Sequence, residues 1–511
     1  MNERMNSKIV NAAKWSGITE FSAKIIQPVT NVILARVLVP EAFGLMAVIT
    51  MVISFANLFS DVGFMRYLIQ HEFNSDEEKD HSALVAFWTN LGISIGFWLV
   101  ISLCRNRIAS LLGHPDLGIA IAAACICLPL NSFSTVQTAL YQRDLNFKVL
   151  FLARITGALI PVFVTIPLAV LGFHYWALII GTICGNLWNA FILTVKSEWK
   201  IRFFYRYSIL KEMLGFSIWS LIEAISIWVT AWVDIVIVGR TFTDYYLGIY
   251  TNSITVVNAF LNIVTTATAP ILLSALSRLQ ANESEYKRVF FRFQGLVSLL
   301  LIPMGAGLYI YRELATGILF GKQWEEAALL VGLWGLISTF LIVFSDYSSI
   351  IFVSKGKPKI SFLSQILYLS LMLPALIFSV RYSFETVIYV RVFIRLGGMV
   401  INLIFLYYCF RISPLRMLKN VYPALIGSLF MAGAAWFLRT LYSTVPWMLF
   451  SILICMTVYF AILMLISDSR KYLMGLAKQF PLKRISKNKQ QAITVESTEL
   501  KGVQNSPPVN F

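Results

Sequence analysis

Inside long apolar runs, this sequence sets ionisable and amide side chains about one helical turn apart. Glu20, Lys24, Gln27 and Asn31 fall within about 60° of one another on a helix. Glu20 and Lys24, four residues apart, can neutralise each other. Glu223, Ser226, Thr230 and Asp234 make a second stripe, and Thr251, Thr255, Asn258 and Asn262 a third. Arg391 and Arg395 stack in a fourth, with Gly398 and Asn402 below them. The carboxylates Glu20, Glu223 and Asp234 are of a type that holds a proton or a sodium ion, and Lys24, Arg391 and Arg395 of a type that holds an anion. Such groups are costly inside apolar segments and usually face a bundle interior or a wet cavity. For the Thr and Asn positions, hydrogen bonding between helices is an equal reading. Asp61 and Arg66, near the end of the second run, read as a gate or anchor, and Asp346 as a further cavity residue.

Nothing in the remaining residues looks catalytic. His71, His81, His114 and His174 stand singly at the ends of apolar runs. The six cysteines mostly lie within such runs and lack metal-ligand spacing; Cys125 and Cys127 would point to different sides of a helix. They read as small buried residues, and no metal or cofactor is expected.

The elements that carry these stripes follow from composition. Of 511 residues, 58% are hydrophobic and 13% charged, and the mean hydropathy is +0.73. Soluble domains carry roughly 25% charged residues, so the apolar surface here must face lipid. Continuous runs such as Ile119–Leu130, Leu299–Ile310 and Trp447–Ile466 exclude the alternation of a β-barrel. The expected fold is an all-α polytopic membrane protein of about fourteen spans, each of roughly 20 residues. Lys14, Glu20 and Lys24 interrupt the first apolar stretch, which reads as a retained helix rather than a signal peptide.

The net charge of +16 lies mainly on one side. With the N-terminus inside, cytoplasmic Lys and Arg outnumber outer ones roughly fourfold, a positive-inside signal. This placement, with both termini cytoplasmic, argues against nucleic acid as a partner and for membrane lipid. The outer connections, the longest around Arg105–Leu117 and Arg312–Glu325, leave no room for an outer catalytic domain. The basic tail Arg470–Lys489 reads as a topology determinant, and the polar stretch after Gln490 as a disordered end.

A repeat divides the chain. Leu34-Ala35-Arg36, followed by Phe43-Gly44-Leu45, recurs as Val238-Gly239-Arg240 followed by Leu247-Gly248-Ile249. Leu112-Gly113 is echoed by Phe320-Gly321. Two pseudo-symmetric six-helix lobes are therefore expected, 1–206 and 207–412, with two additional spans in 413–467 and a tail in 468–511. Repeats crossing in one direction are a transporter pattern, with substrate between the halves.

The motifs also carry a family resemblance. Lys14-Trp15-Ser16, Leu34-Ala35-Arg36-Val37-Leu38, Pro40-Glu41-Ala42-Phe43-Gly44-Leu45 and Ser60-Asp61-Val62-Gly63-Phe64 appear in order. Gln142-Arg143-Asp144-Leu145-Asn146-Phe147, Phe320-Gly321-Lys322-Gln323-Trp324 and Gly356-Lys357-Pro358 follow. Together they resemble the polysaccharide (Wzx-type) flippase branch of the multidrug/oligosaccharidyl-lipid/polysaccharide exporter superfamily. The nearest group by resemblance is that of the colanic-acid and teichuronic-acid exporters. The resemblance implies export of undecaprenyl-pyrophosphate-linked oligosaccharide units by alternating access through a cavity that is cationic when the glycan is anionic. The expected drive is the membrane potential acting on negative charge, or an H⁺ or Na⁺ gradient acting through Glu20, Glu223 or Asp234. A polysaccharide polymerase and a chain-length regulator are the protein partners the resemblance suggests. A drug/cation antiporter of the same superfamily and a non-transporting scaffold of a synthesis complex are the competing readings. The topology has a direct check: fusion of a fluorescent protein after Phe511 should give a fluorescent product, and an alkaline phosphatase fusion there should be inactive.

Overall fold

The computed structural model describes residues 26–60, 64–215, 218–280, 282–355, 357–442 and 444–466. The described chain is helical throughout, with no strand among these residues. The helices are α1 (26–37), α2 (Pro40–Ser60), α3 (Phe64–Gln70), α4 (Asp76–Leu103), α5 (Arg105–Leu111), α6 (Gly118–Ala124) and α7 (Cys127–Arg143). Next come α8 (Phe147–Ile160), α9 (Ile166–Val170), α10 (Tyr175–Lys196), α11 (Tyr207–Gly215), α12 (Ile218–Thr241) and α13 (Asp244–Arg278). The rest are α14 (Glu283–Ile310), α15 (Arg312–Leu319), α16 (Ala327–Leu341), α17 (Tyr347–Ser354), α18 (Pro358–Ser379), α19 (Phe384–Phe410), α20 (Pro414–Leu441) and α21 (Val445–Leu465). Thirteen of the described helical segments are long and apolar enough to cross a membrane. The first of the fourteen expected spans is described only from residue 26, as α1. The chain is a multi-pass membrane protein.

The repeat reappears as geometry. Helices α4 and α14 are each 28 residues long and begin alike. Ser75 caps α4 by accepting from the Glu78 N–H, and Asn282 caps α14 by accepting from the Glu285 N–H. An acid three residues past the cap also suits the positive end of the helix. After each long helix the chain turns through a left-handed glycine, Gly113 at φ 90° and Gly321 at φ 92°. These are the two glycines of the Leu-Gly/Phe-Gly echo, and only there does the echo need glycine for its backbone.

The other repeated glycines mark where the two halves touch. Helices α2 and α13 cross at Gly44 and Gly248. A Cβ on Gly44 would strike the Asp244 carbonyl, and one on Gly248 would strike the Pro40 carbonyl. Pro40 and Asp244 each lie four residues before the glycine of their own helix, so one contact is the symmetry image of the other. The flanking loops cross over in the same sense. Arg36 donates to the Ile318 carbonyl, Gln323 donates to the Ala35 and Leu38 carbonyls at 3.0 and 2.9 Å, and Trp324 donates to Ala35 at 2.8 Å. From the first half, Gly113 packs on Arg240, and His114 Nδ1 lies 3.1 Å from Asp244 Oδ1. Deeper along the same seam, the Trp228 indole donates to Ser54 Oγ at 2.9 Å. The end of the bundle carrying Arg36 and Arg240 is thus sealed by paired elements of both halves.

Burial separates the helices by role. In the segment Ala327–Phe352, 78% of the most apolar window is buried, against 17% in Phe147–Val170. The α16 segment therefore forms the core of the second half, while α8 faces outward. From Tyr422 onward the chain forms a separate compact unit, in which Gly427 of α20 lies against the Tyr459 ring of α21. Replacing Gly248 by Val should wedge the α2–α13 crossing apart and cost about 1–3 kcal/mol. Gly96→Ala, at a position with open space, should be neutral; thermal unfolding of the two detergent-solubilised variants compares them.

Candidate functional site

Four helices of the second half converge on one buried ion pair. Asp234 comes from α12, Tyr250 from α13, Tyr368 from α18 and Arg391 from α19. Arg391 Nε donates to Asp234 Oδ2 at 2.9 Å, and the two side chains are 8% and 5% exposed. The Tyr250 hydroxyl donates to the same carboxylate oxygen at 2.7 Å and accepts from Arg391 Nε at 3.2 Å. Asp234 Oδ1 accepts the Ile235 N–H at 2.9 Å. Arg391 Nη1 donates to the Tyr368 hydroxyl at 2.5 Å. Gly398 makes that last contact feasible, because a Cβ there would meet the Tyr368 ring at 2.8 Å.

A polar cavity of about 290 Å³ lies alongside, bordered by Asn258, Asn262 and Thr265 of α13, by Ser338 and Asp346, and by Arg395. The Trp334 ring lies beside both arginines. The Arg395 guanidinium stacks 3.8 Å from the Trp334 ring centroid, and that of Arg391 lies 5.5 Å from it. Arg395 Nη1 donates to Ser338 Oγ at 2.9 Å, and the Trp334 indole donates to Asn258 Oδ1 at 3.0 Å. Between α16 and α17 the helix widens into a π-helical turn, Ile342–Asp346. Such turns recur at functional sites. Here adjacent residues take opposite duties. Ser345 accepts from Asn402 at 2.7 Å and braces α19, while Asp346 borders the cavity. Asn402 in turn accepts from Ser364 of α18 at 2.6 Å. Chemically, the arrangement offers one guanidinium, one carboxylate and several neutral donors and acceptors to a hydrophilic guest.

The structure brings some of the expected residues together and leaves others apart. Asp234 and Arg391, expected respectively to hold a cation and an anion, hold each other. Asn258, Asn262, Asp346 and Arg395 share the cavity. The hydroxyls of Thr230, Thr251 and Thr255 bond within their own helices, to the carbonyls of Ser226, Leu247 and Thr251 at 3.0, 2.9 and 2.7 Å. These three therefore do not make the bonds between helices that were the alternative reading of their stripes. On α1, Gln27 is exposed and Asn31 half-buried. Glu20, Lys24, Asp61 and the side chains of Arg66 and Glu223 lie outside the described residues. Near the Arg66 position, Arg143 caps the end of α3, donating to the Leu68 and His71 carbonyls at 2.9 and 2.6 Å. There the Tyr67 hydroxyl donates to Glu212 at 3.0 Å. Burial, then that carboxylate, pushes the Tyr67 phenol above its usual value, so it remains a donor.

Sequence reasoning missed Tyr250, Tyr368, Trp334 and Ser338. The tyrosines and Trp334 sit in apolar runs, where an aromatic ring reads as core. Gly398 was the one available signal, since a glycine in a helix stripe implies a close neighbour. The first half has a polar node of a different kind. Asn90, Ser94 and Ser132 bond together without a charge, Ser132 donating to Asn90 at 2.8 Å.

Residues 33–329 match a family described as polysaccharide biosynthesis protein. The chain belongs to that family. Two curated relatives agree with the membership. The succinoglycan biosynthesis transport protein ExoT of Rhizobium meliloti (strain 1021) is 26% identical, over 68% of this chain and 70% of its own length. The lipopolysaccharide biosynthesis protein WzxC of Escherichia coli (strain K12) is 23% identical, over 73% of this chain and 75% of its own. In fold, the chain is similar to the lipid II flippase MurJ in an inward closed conformation. That structure superposes with a TM-score of 0.73 at 15% identity, covering 89% of this chain and 99% of MurJ. The motif resemblance to Wzx-type exporters and the family match thus agree on the same stretch of chain. For this family member, removing one partner of the ion pair should be far costlier than removing both. Arg391→Met should destabilise the protein by about 3–5 kcal/mol. Adding Asp234→Asn should restore most of that loss, as read from thermal unfolding of the single and double variants.

Proposed function

We propose that this polysaccharide biosynthesis protein is a flippase for lipid-linked oligosaccharide repeat units, carried on undecaprenyl pyrophosphate across the bacterial inner membrane. The observation that carries the reading is the polar, charged cavity around Arg395 and Asp346, set within a membrane bundle that repeat-related helices seal at one end. Family membership and the names of the relatives, a transport protein for succinoglycan and a lipopolysaccharide biosynthesis protein, point to the same substrate class. The reading is of a transporter and not an enzyme.

The physical problem for such a substrate is the pyrophosphate. Burying its charges in hydrocarbon would cost tens of kcal/mol by Born estimates. A hydrated cavity with cationic walls removes most of that barrier, while the polyprenyl tail stays in lipid between helices. In this reading the sealed end is the outer one, so the state described is open toward the cytoplasm. The two lobes, 1–206 and 207–412, then rock apart at the Gly44–Gly248 crossing to release the glycan outward, with 413–467 as two additional spans. Lys24 and Arg395 take the anionic headgroup or glycan, lined by Gln27, Asn31, Asn258 and Asn262. Glu20 and Glu223 are available to H⁺ or Na⁺, and Asp61 with Arg66 gates the inner mouth. An interior-negative potential favours outward movement of negative charge by about 2.3 kcal/mol per charge per 100 mV. Both termini lie in the cytoplasm, and a polymerase with its chain-length regulator receives the product.

Deletion of the gene should abolish surface polysaccharide and leave lipid-linked repeat units on the cytoplasmic face. Arg395→Gln and Asp346→Asn should each lower export at least about tenfold, a loss of ~1.4 kcal/mol, with protein levels held equal. Normal surface glycan together with sensitivity to cationic drugs would instead establish the antiporter reading. Loss of surface glycan without accumulation of lipid-linked repeat units would leave the scaffold reading.

A further inference from the structure

We infer that Arg391 is a resident counter-cation, and that it fills a latent monovalent-cation site built around Asp234. The groups around the Arg391 guanidinium are oxygens, the donor type a bare monovalent cation takes. A carboxylate oxygen of Asp234 and the hydroxyl oxygens of Tyr250 and Tyr368, brought by three different helices, converge on a single positive charge. That charge arrives on the side chain of a fourth helix instead of from solution. The inference deepens the transport reading, because it removes Asp234 from the residues that could couple export to a cation gradient.

The argument rests on what the pair can exchange. A carboxylate 5% exposed within a membrane bundle must be accompanied by a positive charge or a proton. A guanidinium does not release its proton, so it supplies that charge in every state that keeps the contact. Both Asp234 oxygens are already engaged, one by its own backbone neighbour and the other by Arg391 and Tyr250. A sodium ion could enter only by displacing Arg391, whose charge would then repel it. Arg391 does not border the cavity, and its Nη1 is tied to Tyr368. Asp346 presents the contrast. It borders the cavity and makes no ion pair among the described residues. Any ion response of the wild-type protein should therefore survive the loss of the Asp234 carboxylate.

The test uses the full chain in detergent, with thermal unfolding followed as sodium chloride replaces choline chloride at constant ionic strength. Arg391→Met should acquire a sodium-specific rise in Tm of about 2–4 °C at saturation. The Asp234→Asn/Arg391→Met double variant should lose that gain, and the wild type should show none that depends on Asp234. A sodium-specific shift in the wild type that disappears in Asp234→Asn would overturn the inference. So would Arg391→Met, or Arg391→Gln should Met not yield folded protein, behaving like the double variant. The wild-type and Asp234→Asn comparison stands without either Arg391 variant. Failure of the export reading would appear as normal surface glycan in the deletion strain and would leave the sodium titrations unchanged.

Discussion

Within the second half, a carboxylate and a guanidinium 2.9 Å apart and almost wholly buried hold four helices in one arrangement. In hydrocarbon each charge alone would be prohibitive, so neither Asp234 nor Arg391 can leave without the other being satisfied. Tyr250 and Tyr368 extend the constraint to α13 and α18. The consequence is mechanical as well as electrostatic. Helices joined through a buried charge cannot slide singly, and they must move as a body. The brace adjoins the polar cavity, since the Trp334 ring lies close to both Arg391 and the cavity-lining Arg395.

Contact between the halves is of another kind. At the Gly44–Gly248 crossing two backbones approach closely because neither has a Cβ, and the carboxylate beside it, Asp244, is partly exposed. Small residues let membrane helices pack through dispersion contacts and weak hydrogen bonds. The loops around the crossing add side-chain bonds from Gln323 and Trp324 to backbone carbonyls. Such a seam can open without stranding an ion, whereas the Asp234–Arg391 brace cannot. A rigid half and a separable seam are what alternating exposure of one cavity requires.

The candidate site was legible in residue type more than in partnership. Ionisable residues in apolar runs are rare enough that Asp234, Arg391, Arg395 and Asp346 stood out at once. Their division into a neutral pair and a cavity-lining set was not legible. Helical periodicity places a residue on a face of its own helix but does not say which other helix meets that face. Asp234 and Arg391 are 157 residues apart in the chain, and nothing local links them. The tyrosines stayed hidden because a phenol in an apolar run looks like core until the charge beside it is known.

By itself the sequence determined the class of the molecule. Composition demands lipid contact, and run length demands helices. The spacing shared by Arg36–Gly44 and Arg240–Gly248 also announced two related halves, since equal spacing on equal helices must produce equal geometry. Only the tertiary structure decided that the two glycines of that repeat meet each other, and that one arginine is neutralised while its neighbour one turn away borders a cavity. The physical reason is range. Burial in lipid and helical period act over a single turn or a single span, whereas charge pairing and backbone contact depend on which distant segments the packed bundle brings within a few ångströms.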